Sequence, residues 1–187
     1  MKNRIQTTTL ICLILLSLST YGKSQSGIYL TAADYEQKHL SYETKNAKIH
    51  LNNSVWEMPY ITVTERGKKH RLSKSEVYAY VDKGNEVFRF YKSEEYLIAE
   101  AGNINVYVQA ERISQSKGYQ IKMHYYFSTA PEGEIIPLTI GNIKKAYSSN
   151  EHFIALLEQF FSNDDVTAYD KIHNTFKVNY VYTRAKQ

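Results

Sequence analysis

The sequence predicts an α+β domain that is mainly β: an antiparallel meander, curled or barrel-like, with a C-terminal helical pair packed on it and a final returning strand. Three observations predict it. Glycines fall at Gly67, Gly84, Gly102, Gly118 and Gly133, with gaps of 17, 18, 16 and 15 residues, each in a polar stretch. Glycine tolerates the positive φ of tight turns, and turns at such spacing bound successive antiparallel strands. The runs between them are rich in Val, Ile, Tyr and Phe and alternate with period two. Helical periodicity appears only late, after Pro137.

Residues 1–26 read as a secretory signal peptide. Lys2 and Arg4 give a positive start, Leu10 to Leu16 a short apolar core, and small residues follow, with cleavage after Gly22 or Ser26. The core falls short of the about 20 apolar residues a membrane span needs, so an uncleaved anchor is the lesser alternative. The single cysteine, Cys12, lies inside this run, which leaves residues 27–187 without disulfide, thiolate or sulfur-ligand chemistry. Removing residues 1–26 takes three of the 23 basic residues (Lys2, Arg4, Lys23) and none of the 19 acidic ones, so the net charge falls from +4 to +1. That balance excludes the concentrated basic footprint of a nucleic-acid binder.

Residues 27–187 read as a single globular domain: there are only three prolines and no low-complexity stretch. Thr31 caps a short helix over Ala32 to Lys38. Ile61 and Val63 oppose Tyr60, Thr62 and Thr64 in the first alternating run. In the next, Ile104, Val106, Val108 and Ala110 oppose Asn105, Tyr107 and Gln109. Tyr119, Ile121, Met123, Tyr125 and Phe127 then oppose Gln120, Lys122, His124 and Tyr126. One face is apolar and the other wet but aromatic, as in a sheet buried on one side. Thr139 caps a helix carrying Ile140, Ile143 and Tyr147, and Asn150 caps a second with Phe153, Leu156, Leu157, Phe160 and Phe161 in one stripe. Asn163, Asp164 and Asp165 cap a short turn with Val166 and Tyr169. The chain ends in a strand, where Phe176, Val178, Tyr180 and Tyr182 alternate with Lys177, Asn179, Val181 and Thr183. A lipocalin-like barrel is the alternative architecture.

No catalytic motif is present: no Gly-x-Ser-x-Gly elbow, no phosphate-binding glycine loop and no His-Glu-x-x-His. The six histidines (His39, His50, His70, His124, His152, His173) have no metal-ligand spacing, so no catalytic residue, metal site or cofactor is expected. The carboxylates of Glu94 and Glu95 point to opposite faces of a strand, and Asp164-Asp165 suits a helix start. Lys68-Lys69-His70-Arg71 reads as a solvated hairpin tip, and Trp56 as a core plug. Tyrosine is the unusual component, at 17 residues. Its flat apolar body and hydrogen-bonding tip suit sugars and protein partners. The candidate binding residues are Tyr107, Tyr126, Tyr60 and Tyr91.

Gly27-Ile28-Tyr29-Leu30-Thr31-Ala32-Ala33-Asp34-Tyr35 follows the signal-like segment, with Phe88-Arg89-Phe90-Tyr91, Glu95-Tyr96-Leu97-Ile98 and Gly102-Asn103-Ile104-Asn105-Val106-Tyr107 downstream. Tyr125-Tyr126-Phe127-Ser128 and Pro137-Leu138-Thr139 complete the order, which resembles small exported proteins of Bacteroidetes-type bacteria that have no assigned activity. The resemblance implies export and a bacterial source.

Three functional expectations follow. The first is a non-enzymatic protein-binding or assembly module of the bacterial envelope, exported through the inner membrane to the periplasm or secreted, with no transmembrane helix after cleavage. The second is a glycan or small-ligand module on the tyrosine-rich face. The third is a hydrolase whose residues, such as His124 or His152 with a carboxylate, come together only in the fold.

Overall fold

The computed structural model describes residues 26–44, 59–65, 67–162 and 165–187. The expected signal peptide, apart from Ser26, lies outside them, as do Cys12, His50, Trp56, Asn163 and Asp164. The domain is mainly β, and its described residues form an open eight-stranded antiparallel sheet and two two-stranded ones, with the larger helices near the C-terminus. The strands are β1 (Ser26–Tyr29), β2 (Tyr42–Thr44), β3 (Tyr60–Glu65), β4 (Lys68–Ser73), β5 (Ala79–Val81) and β6 (Val87–Tyr91). They continue with β7 (Glu94–Glu100), β8 (Asn105–Gln115), β9 (Gly118–Ser128) and β10 (Ile136–Pro137), then the short pair β11 (Tyr169–Asp170) and β12 (Thr175–Phe176). Four α-helices accompany them among the described residues: α1 (Ala32–Glu36), α2 (Ile140–Ala146), α3 (Glu151–Phe160) and α4 (Lys177–Arg184). No helix among the described residues is long and apolar enough to cross a membrane.

The main sheet runs β10-β9-β8-β7-β6-β5-β1-β2, so it has two edges and is not a closed barrel. Its middle is the expected meander, with Gly84, Gly102 and Gly133 in the connections and Gly118 opening β9. One turn lacks glycine: Lys92 (φ 51°) and Ser93 (φ 69°) join β6 to β7 in the left-handed region, the geometry of a two-residue type I′ hairpin. At the far side, Gly27 lets β2 approach. A Cβ there would stand 2.4 Å from Tyr42 O.

Strand register sorts the side chains into two faces. On the first, Ile28, Tyr80 and Phe90 meet Ile61 and Val63 of the β3–β4 hairpin, while Val106 and Phe127 meet the C-terminal helices. On the second, Tyr29, Ala79 and Val81 pack under Tyr35 of α1. The proximal half of β8 is therefore buried on both faces, from Asn105 to Val108.

Three helix caps act where the sequence places them. Thr31 Oγ1 accepts from Asp34 N, Thr139 Oγ1 from Asn142 N, and Asn150 Oδ1 from Phe153 N. The expected stripe of α3 buries Phe153 and Leu157, with Phe161 just beyond, whereas Phe160 is exposed.

The expected final strand is instead helix α4. Val178, Val181, Tyr182 and Ala185 also fit helical spacing, and Val178 and Val181 are fully buried in the core beside α3. The residue before α4 has no side-chain cap. Glu100 supplies one from the sheet: its carboxylate accepts from Phe176 N, Thr175 Oγ1 and Asn179 Nδ2. A β-bulge makes this possible. The register shift between Ile98 and Glu100 turns Glu100 onto the helix face, opposite Val106.

Candidate functional site

The second face of the sheet gathers tyrosines around one arginine. Arg89 alternates with Phe88 and Phe90 on β6, so the apolar neighbours enter the first core and the guanidinium enters the second face. It is 3% exposed. Nη1 donates to Tyr107 Oη at 2.9 Å and Nη2 to Gly133 O at 2.8 Å. The chain of hydroxyls beyond has one sense. Ser128 Oγ donates to Ala130 O, so the Tyr107 hydroxyl donates to Ser128 Oγ and receives Arg89. Tyr78 Oη donates to Pro131 O, which ties the β9–β10 loop to the same centre. The rings of Tyr78, Tyr91 and Tyr107 stand 5.3–5.6 Å from the guanidinium carbon.

Tyr96 continues the cluster outward, edge-on to both Tyr107 and Tyr126. Burial pushes the hydroxyls of Tyr78 and Tyr96 above the ordinary tyrosine range, with neighbouring tyrosines adding to it. Tyr126 Oη reaches Gln109 Oε1, and Gln109 Nε2 donates to Glu94.

Three of the four tyrosines predicted to bind thus share this face. Tyr91 and Tyr126 are half-buried, and Tyr107, opposite Tyr126, is 1% exposed. The sequence places Tyr107 on a wet face, whereas the β9–β10 loop and the tyrosine cluster cover it. Tyr60 stands apart on β3, under the guanidinium of Arg71 at 3.3 Å. Arg89 was missed as a site residue. Its signal was a lone charge between two aromatic core positions in Phe88-Arg89-Phe90-Tyr91.

A shallow, open cleft of about 280 Å³ lies beside Arg89, lined among others by Val77, Tyr78, Phe90, Glu76 and Glu132.

The distal half of the β8–β9 hairpin forms a second feature. Beyond Ala110 and Met123, both strands leave the helical cover, and almost all their side chains are exposed. The alternation of β9 persists, so Tyr119 (60% exposed), Ile121 (47%) and Met123 (46%) line the continuation of the core face. The sequence assigns these positions to the buried side. The helices end short of them. Arg112 lies over the Tyr119 ring at 4.3 Å, and Lys117 and Lys122 are exposed nearby.

Among the described residues no strand pairs with the outer edge of β9 between Gly118 and His124. Tyr125 O accepts from Leu138 N on that side. Backbone groups alternate in direction along an antiparallel strand, so the N–H and C=O of Met123, Ile121 and Tyr119 face the same open edge.

The histidines stay dispersed. His124 contacts Glu111 at 2.7 Å on the exposed hairpin, His173 contacts Asp170 at 2.7 Å in the β11–β12 turn, and His39 lies 3.6 Å from Asp34. Among the described residues no three His, Cys, Asp or Glu side chains converge as a metal site would require. Glu94 and Glu95 diverge: Glu94 accepts from Gln109, and Glu95 meets Tyr80 and Lys74 on the opposite face. Lys68 and Lys69 are exposed on β4, with His70 against the Tyr42 ring. Comparison with protein-family models, with curated proteins and with solved structures finds no match to the chain.

Proposed function

We propose that the protein is a non-catalytic binding module of the bacterial envelope, which docks an extended segment of another protein against the outer edge of β9. The exported location rests on the Met1 to Ser26 pattern. The single observation that carries the docking reading is the bare half-hairpin. The backbone groups that no strand pairs among the described residues belong to Tyr119, Ile121 and Met123, whose apolar side chains are exposed. Strand addition draws affinity from such backbone groups and specificity from the alternate side chains. Arg112, Lys117 and Lys122 make this arm cationic against the single acid Glu111, so the partner segment alternates apolar and acidic residues.

A photo-cross-linker at position 121, in cells, tests this against one at Ile172, which is 90% exposed on the β11–β12 turn. One envelope protein captured from position 121 and not from 172 is expected. Ile121→Lys, introduced with the cross-linker moved to 119, lowers that capture at least about tenfold without changing the melting temperature. In the complex, the amides of Tyr119, Ile121 and Met123 gain protection from hydrogen exchange and those of Gln120 and Lys122 do not. A blank, equal capture at both positions, or capture only of a second copy overturns the reading.

A glycan or small-ligand module is the second reading. The half-buried Tyr91, Tyr96 and Tyr126 on one face, with Gln109 and Glu94 among them, support it.

A further inference from the structure

The Arg89 guanidinium is buried without a counter-charge. None of the ion pairs among the described residues includes it. A guanidinium carries five N–H donors. Tyr107 and Gly133 each accept one, both through neutral oxygens, and Nε has no hydrogen-bond partner. Removing an ion from water is costly, and a desolvated cation–π contact returns only part of that cost. The three tyrosine rings and two hydrogen bonds therefore hold the cation without neutralising it.

Arg89 also lines the cleft of about 280 Å³. We propose that this cleft binds a small zwitterion of the amino-acid class. Its carboxylate meets the guanidinium, its ammonium faces Glu76 and Glu132, and its apolar body lies against Leu30, Val77 and Phe90. The charge of the lining selects the class. One arginine and two glutamates leave the wall net negative, so a phosphate dianion is repelled, while a zwitterion finds both signs opposite its own. Size agrees, since drug-sized ligands occupy about 300–1,000 Å³ and this cleft lies just below that range. A charge-assisted bond from a carboxylate to a buried guanidinium supplies the anchor. The inference goes beyond the hairpin reading and uses none of its residues.

Calorimetry and thermal melts of the purified protein, with the standard amino acids as probes, test it. At least one amino acid is expected to bind saturably at a single site. The matching amine without a carboxylate, the matching carboxylate without an amine, glucuronate and inorganic phosphate bind at least about tenfold more weakly. Arg89→Met abolishes binding. Because that variant loses a buried hydrogen-bonding hub, Ser75→Phe serves beside it: Ser75 is an exposed residue of the cleft wall, and the larger ring narrows the mouth with Arg89 intact. The Arg89 Nε–H resonance shifts in wild type on adding the amino acid and stays in place in Ser75→Phe. Ile121→Lys binds as wild type, which separates this site from the hairpin. No saturable amino-acid binding, equal binding of the single-charge analogues, or wild-type binding by Ser75→Phe overturns the proposal.

Discussion

Asn179 and Glu100 make the polar joint between α4 and the sheet, beside the apolar core they share. Asn179, 5% exposed, accepts from Ile104 N at 3.0 Å and donates to Ile104 O and to Glu100. Replacing it by alanine orphans both backbone groups of Ile104 in a buried setting. The expected loss is about 1–3 kcal/mol, read by urea denaturation. Glu100→Gln keeps the shape, but both carboxylate oxygens accept hydrogen bonds and the amide NH2 sets a donor against a donor at one of them, so a loss of about 1–3 kcal/mol is expected in the same assay. An unchanged denaturation midpoint would show that Glu100 does not cap α4.

At the level of elements, the turn between β6 and β7 is open to improvement. Lys92 and Ser93 both hold positive φ, which costs most residues more than Asn or Gly. Replacing the pair by Asn-Gly raises stability by about 0.5–2 kcal/mol, measured by thermal melt. The same turn shows what the chain reveals and what it hides. Glycine spacing marks the turns at Gly67, Gly84, Gly102, Gly118 and Gly133, but only Gly67 (φ 79°) and Gly118 (φ 121°) use positive φ; beside Gly84 the left-handed residue is Asn85 (φ 63°). Lys92-Ser93 carries no such mark, and tertiary pairing alone sets its geometry. The caps Thr31, Thr139 and Asn150 were legible for the same local reason. The segment Lys177–Arg184 was not. Its valines and tyrosines favour strands and fit both periods, and the deciding contacts, Glu100 and Asn179 with Ile104, span more than seventy residues. The candidate site was half legible: Tyr91, Tyr107 and Tyr126 do share a face, but the arginine that organises them lay within an aromatic run.

At the scale of the whole molecule, tyrosine burial sets an alkaline limit. Burial raises the ionisation of Tyr29, Tyr35, Tyr78, Tyr80 and Tyr96, and lifts Tyr147 from 10.0 to about 12, with Tyr182 adding to it. In the unfolded chain these groups release their protons near the ordinary value, while in the fold they keep them. Between those two limits the unfolded state binds fewer protons, so stability is full below pH 10 and falls as pH rises toward 12. Denaturant midpoints recorded across that window should decline steadily, and Tyr147→Phe should flatten the decline. An unchanged slope in that variant would show that Tyr147 ionises outside the fold's control.

The position of β1 has a consequence for the order in which the molecule can be assembled. Ser26 to Tyr29 pair on one side with β2 and on the other with Ala79 to Val81. A chain that emerges N-terminus first, from a ribosome or a translocation pore, can make only the first of those ladders early, and two short strands are marginal alone. The last helix closes the other end, since Val178 and Val181 complete the core over Val106 and Phe127. Until about the final turn has appeared, the core over Val106 and Phe127 is not closed. Such a chain stays threadable for most of its passage and commits to its fold late, as one cooperative step.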